Sequence, residues 1–128
     1  MPTLLVVEEN DAVRTLLRRV LSPHYQVLEA RDGSQALRVS GTHPRPIDLL
    51  LTDALLPDMT ADQLAQQLTA VQPAVKVVRM SGYTQERLQE QGVAPDENFL
   101  EKPFTLDQLL LTVRAALGSA GSPPSIQS

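Results

Sequence analysis

The chain has 128 residues, enough to bury one hydrophobic core without disulfides or metals to staple it. It is 42% hydrophobic and 20% charged, has no cysteine and carries a net charge of −4, which excludes a disulfide scaffold and a thiolate metal site and argues against direct nucleic-acid binding. No apolar run reaches the ~18 residues of a membrane span and no signal-peptide pattern opens the chain, so a cytoplasmic protein without membrane contact is expected.

Leu4-Leu5-Val6-Val7 reads as a buried strand that ends in Glu8-Glu9. Asn10 or Asp11 offers an N-cap, and Val13, Leu16, Leu17, Val20 and Leu21 then recur at helical spacing, with Arg14, Arg18 and Arg19 on the other face. Ser22-Pro23-His24 stops this helix, and the mixed run Tyr25 to Ala30 suits an edge strand. Asp32-Gly33 turns the chain into a helix over Ser34–Ser40, followed by a loop from Gly41 to Pro46. Ile47 to Asp53 packs four apolar side chains into seven positions, the signature of a strand buried on both faces of a parallel sheet. Thr60-Ala61-Asp62-Gln63 is a capping box heading a helix with Leu64, Leu68 and Val71 inward, ended by Pro73. Val75 to Met80 is a further strand, with Ser81-Gly82 at its carboxyl end. Thr84–Gln91 is helical but mostly polar, with only Leu88 clearly apolar. Asn98 to Glu101 is a short strand leading into Lys102-Pro103, and Thr105 to Gln108 is a second capping box. Leu106, Leu109, Leu110, Val113 and Leu117 line the last helix, and residues 118–128 have the Gly, Ser and Pro content of a disordered tail. Five alternating strand–helix units predict an α/β sandwich with a parallel sheet and helices on both faces.

Ligands in such sheets bind beyond the carboxyl ends of the strands. The polar residues there are Glu8 and Glu9, Asp53, Ser81 and Lys102, one of only two lysines. Each has a plain structural reading: Asp53 as a turn former, the glutamates as helix-dipole partners, Ser81-Gly82 as a turn, Lys102-Pro103 as a solvated exit. Together they place three carboxylates, a hydroxyl and an ammonium on one rim. Three carboxylates repel, and a hard divalent cation with oxygen ligands, Mg²⁺ above all, relieves them. A cation, an ammonium and a hydroxyl donor form a site shaped to hold a phosphoryl group.

These segments resemble the receiver domains of two-component response regulators. The motifs are Leu5 to Glu9, Asp48 to Asp53, Leu56-Pro57-Asp58-Met59, Met80-Ser81-Gly82-Tyr83 and Phe99 to Phe104, with spacing kept from about Thr3 to Leu117. The resemblance is closest to receiver modules of hybrid sensor histidine kinases. It implies a flavodoxin-like three-layer sandwich with strand order 2-1-3-4-5, a receiver over residues 1–117 and a tail over 118–128. It implies Asp53 as the phosphoacceptor, taking the group from a sensor histidine kinase or a histidine phosphotransfer protein, with Mg²⁺ or Mn²⁺ as cofactor. Glu9, Asp53 and the backbone carbonyl of Leu55 match the direct metal ligands, and Glu8 acts through a metal-bound water. Lys102 and Ser81 match the partners of the phosphoryl oxygens, and Phe99 matches the aromatic that turns inward when Ser81 moves. Pro103 matches a proline after a cis peptide bond. The switching surface is then the polar helix, the last strand and the last helix. Such a domain catalyses only its own phosphorylation and dephosphorylation.

Three positions depart from the family pattern. Glu9 stands where Asp is common, and its extra methylene moves the carboxylate out by ~1.5 Å, while Mg²⁺ demands near-ideal octahedral geometry. Ala61 replaces a usual glycine, and Leu55 sets a bulky apolar group beside the acceptor, where it hinders an attacking water. Glu9 keeps a second reading open: a pseudo-receiver that binds partners without phosphorylation. An aspartyl phosphatase is a weaker alternative, because Asp53-Ala-Leu lacks the second acid such enzymes place two residues on. No effector domain follows within these residues, so the chain reads either as a free-standing receiver or as a module of a longer kinase.

Overall fold

The computed structural model describes residues 1–82, 85–90 and 98–118. Among them, β1 (Thr3–Val7), β2 (Gln26–Ala30), β3 (Leu49–Asp53), β4 (Lys76–Ser81) and β5 (Phe99–Glu101) alternate with α1 (Asp11–Leu21), α2 (Gly33–Thr42), α3 (Ala61–Val71), α4 (Gln85–Glu90) and α5 (Leu106–Gly118). The strands form one sheet in the order β2-β1-β3-β4-β5. All four pairings are parallel. This is the flavodoxin-like sandwich, with the mixed strand β2 at an edge as its composition predicts.

Side chains alternate across a strand, so the continuous apolar runs of β1 and β3 feed two cores. Leu4, Val6, Leu49, Leu51, Val78 and Met80 pack on one face against Leu17 and Leu21 of α1 and Leu109, Val113 and Ala116 of α5. Leu5, Val7 and Leu50 pack on the other against Ala36 of α2 and Leu64 and Leu68 of α3. Every residue of β1 and β3 is buried, which is why neither strand shows hydrophobic alternation.

The helix starts follow their caps. The Asn10 side chain accepts from the amide of Val13 at 3.0 Å, and Asp32 accepts from Gln35 at 2.8 Å. Both capping boxes close: Thr60 with Gln63 at 2.9 and 3.1 Å, and Thr105 with Gln108 at 2.8 and 3.0 Å.

Several local expectations are corrected. α2 continues through Gly41 and Thr42 and stops at His43, which is extended before Pro44. Proline disfavours a helical residue ahead of it, so the boundary falls there rather than at the glycine. Val71 is 73% exposed, although the helical period marks it inward. It is the last residue of α3. Leu16 and Leu106 are likewise about half exposed, at 50% and 48%. Arg14 is not on the solvent face, its side chain being 17% exposed. Ala61, standing where the family usually has glycine, is fully buried, and no non-glycine residue among those described has a positive φ. Gly118 ends α5 rather than opening the tail. The rest of the tail, Tyr83, Thr84, Gln91 and the side chain of Leu88 lie outside the described residues.

Candidate functional site

The sheet order makes β1, β3, β4 and β5 successive neighbours, so their carboxyl ends lie in a row. Glu8 follows β1, Asp53 ends β3, Ser81 ends β4 and Lys102 follows β5. Glu8, Asp53 and Ser81 are all buried, as an edge-on rim closed by loops would make them. One pocket of about 230 Å³ is lined by Glu8, Glu9, Asp53, Leu55, Ser81, Gly82 and Lys102 among others. Seven of the nine residues singled out from the sequence therefore share it. Phe99 lies just behind, packed on the buried Ala54. Pro103 follows Lys102 through a cis peptide bond, as the resemblance implied.

Lys102 is the hub. Its Nζ donates to Glu8 Oε1 at 2.6 Å and to Asp53 Oδ1 at 2.9 Å. The second oxygen of Glu8 accepts from the Asn10 amide at 2.9 Å, and the second oxygen of Asp53 accepts from the Glu9 amide at 3.3 Å. The Lys102 amide donates to the Ser81 carbonyl at 2.7 Å, which ties the lysine's backbone to the end of β4. The loop after Asp53 is held as firmly. The Ala54 amide donates to Met80 and the Ala61 amide to Ala54, each at 2.8 Å, and Leu55 bridges Thr60.

Burial and contact set opposite biases on the two acids. Burial, with the adjacent Glu8 carboxyl, raises the Asp53 pKa to about 6 against the pull of Lys102. Burial also pushes Glu8 up, but its bonds to Asp53, Lys102 and the Asn10 amide outweigh that and hold it below the ordinary range. When the pair shares a single proton, Asp53 carries it. Lys102 feels burial downward, yet the two carboxylates hold its pKa above normal, so it stays charged.

Glu8, Glu9, Asp53 and Lys102 together leave two uncompensated negative charges at neutral pH (three carboxylates less one ammonium). Hard oxygens and excess negative charge suit a divalent cation such as Mg²⁺ in kind and in charge. The grouping is less complete than the sequence suggests. Glu9 is exposed, Lys102 already occupies an oxygen of each buried acid, and among the described residues no three acids are gathered ready to hold a metal.

Three contributors were missed in the sequence. Asn10 caps α1 and also binds Glu8. Arg14 donates to the Glu8 carbonyl at 2.8 Å. Asp58 accepts from the amides of Gly33 and Ser34 and from the Ser34 hydroxyl, each at 2.9 Å, and so seats the loop beyond Asp53 on the start of α2. Only Asn10 had a visible signal, as a cap. The other two depend on contacts between separate elements.

The rim, the lysine hub and the strand order define a class of protein, and comparison with known proteins agrees. The family described as response regulator receiver domain matches residues 4–114, and the chain belongs to that family. It is 34% identical over 117 residues to the sensor kinase CckA of Brucella abortus (strain 2308), covering 90% of this chain and 12% of that kinase. It is 30% identical over 118 residues to the response regulator receiver protein CpdR of the same strain, covering 91% of this chain and 97% of CpdR. Among solved structures, the receiver domain of the hybrid histidine kinase CckA superposes with a TM-score of 0.73 at 33% identity, covering 90% of this chain and 98% of that one. The chain thus spans nearly all of one relative but only about an eighth of another. Among the described residues no helix is long and apolar enough to cross a membrane.

Proposed function

We propose that this chain is a phospho-accepting receiver of a two-component phosphorelay, acting in the cytoplasm and catalysing only its own phosphorylation and dephosphorylation. An Asp53 oxygen attacks the phosphorus of a phosphohistidine on a sensor histidine kinase or phosphotransfer protein. An O–P bond forms and the P–N bond breaks; its electron pair stays on the imidazole nitrogen that held the phosphorus, which takes up a proton from water. The observation that carries the reading is the Lys102 ammonium in contact with both Asp53 and Glu8 inside one pocket. An ammonium already at the nucleophile is placed to move onto a phosphoryl oxygen as charge develops there.

Glu9, Asp53 and the Leu55 carbonyl would hold Mg²⁺ or Mn²⁺ directly, with Glu8 acting through a water. The bound ion supplies charge neutralisation between the carboxylates and the incoming phosphoryl oxygens. Ser81 donates to a second phosphoryl oxygen, and Phe99, resting on Ala54, turns inward as it moves. Leu55 lines the pocket and, by crowding an attacking water, lengthens the life of the acyl phosphate.

Incubation with a small phosphodonor and Mg²⁺, followed by intact mass, tests this. Wild type gains one phosphoryl group and Asp53→Ala gains none; no gain in wild type, or an equal gain in the variant, overturns it. The exposed Glu9 favours a second reading, a pseudo-receiver that binds partners independently of phosphorylation. A Mg²⁺ titration with no saturable change, in a protein that still binds its kinase, selects it.

A further inference from the structure

Arg14 is a sheltered arginine beside the acidic turn. Its side chain is 17% exposed, against 44% for Arg18 one turn on. One terminal nitrogen donates to the Glu8 carbonyl at 2.8 Å, and the other meets Asp11 at 2.6 Å. Its Nε faces Glu29 of β2 at 3.6 Å, and the second oxygen of Glu29 meets Arg18 at 3.2 Å. A planar fork reaches three partners at fixed angles, which a lysine's point charge does not reproduce.

The partners matter because of what lies between them. Glu8 and Glu9 sit in the turn from β1 to α1, where both the strand ladder and the helix ladder give out. The Glu8 amide is bound by Ala30 at 3.0 Å, the Glu9 amide by Asp53 at 3.3 Å and the Asn10 amide by the Glu8 carboxylate at 2.9 Å. Arg14 supplies the bond to the Glu8 carbonyl, the peptide group that joins the two acids. Rotating that peptide would swing the Glu9 side chain, whose extra methylene already adds a torsion for a cation to freeze.

We propose that Arg14 is the positioning residue of this acidic turn: clamped by Glu29 of the neighbouring strand, it fixes the Glu8–Glu9 peptide and thereby sets the affinity for a divalent cation. The inference rests on the metal reading above, extending it from the acids to the group that aims them. Side chains behind metal ligands commonly govern affinity by about 10- to 100-fold.

The test uses Arg14→Met, which keeps the apolar stem, Arg14→Lys and Glu29→Gln. Each is titrated with MgCl₂ by calorimetry, and amide hydrogen exchange is followed by NMR. The Mg²⁺ dissociation constant is expected to rise about tenfold in Arg14→Met and less in Arg14→Lys and Glu29→Gln. The Glu9 and Asn10 amides should exchange about tenfold faster, with Leu51 in the sheet unchanged. An unchanged dissociation constant, or equal acceleration at Leu51, overturns the proposal. If Arg14→Met does not fold, Glu29→Gln decides by the same readings, because it leaves every bond of the turn itself in place. If wild type takes up no Mg²⁺, the metal reading fails separately. Exchange at Glu9 then decides whether Arg14 holds the turn.

Discussion

Asp53 is an acid held under conditions that resist its ionisation. Burial and Glu8 raise its pKa to about 6, above the ~3.9 of an unfolded aspartate. Because the folded pKa is the higher one, the group favours folding below about pH 4, and that contribution disappears as pH rises through about 6. Asp53→Asn should therefore raise the melting temperature of the metal-free protein at pH 8 by several degrees, and the gain should vanish near pH 4. Melting curves of both proteins across that range check it; a constant difference, or a loss at pH 8, contradicts the assignment. The Lys102 ammonium opposes that bias by favouring the ionised form, the form the proposed phosphoryl transfer requires.

Helices in this protein are fixed by their caps and by the few residues that reach the sheet. α3 shows the difference within one element: Leu68 is fully buried, whereas Val71 is 73% exposed. Leu68→Ala should cost about 2–5 kcal/mol, while Val71→Ala should stay within about 0.5 kcal/mol. Thr60→Ala, which opens the capping box, should cost about 1 kcal/mol. Urea midpoints at constant m-value measure all three, and a large loss at Val71 would show that the end of α3 packs more tightly than it does here. Apolar periodicity marked α1, α3 and α5, yet it could not separate Leu68 from Val71. An apolar stripe records which face is inward, and only the packing of neighbouring elements says which of its residues are covered. Leu16, in mid-α1, and Leu106, the first residue of α5, are likewise half exposed although the apolar period includes them.

At the scale of the molecule, those two leucines become one surface. With Val13, Leu17, Pro103 and Phe104 they line an apolar groove of about 400 Å³ between α1 and the start of α5, and Lys102 lines both this groove and the acidic pocket. If the chain takes its phosphoryl group from a protein histidine, as proposed, that donor must reach Asp53, and an apolar groove lined by the same lysine would serve it as an anchor. Leu16→Glu and Leu106→Glu should slow transfer from a phosphorylated kinase or phosphotransfer protein by about tenfold or more, a loss of ~1.4 kcal/mol. Phosphorylation by a small phosphodonor should be unaffected. Equal rates from the protein donor would place its docking elsewhere.

The sequence by itself determined the alternation of strands and helices, and hence a doubly wound parallel sheet. It also placed Glu8, Asp53, Ser81 and Lys102 on one rim, because buried strands that end abruptly in polar residues mark that rim whatever the loops do. Tertiary structure decided the rest. It put Lys102 on Glu8 and Asp53, left Glu9 exposed at the pocket, drew Arg14 inward to the Glu8 carbonyl and left Leu16 and Leu106 half exposed. Local patterns report which face of an element is apolar, but the direction of an individual side chain depends on what a distant part of the chain brings opposite it. Glu29 on β2 and Lys102 beyond β5 are such parts, and nothing near Arg14 or Asp53 in the sequence announces them.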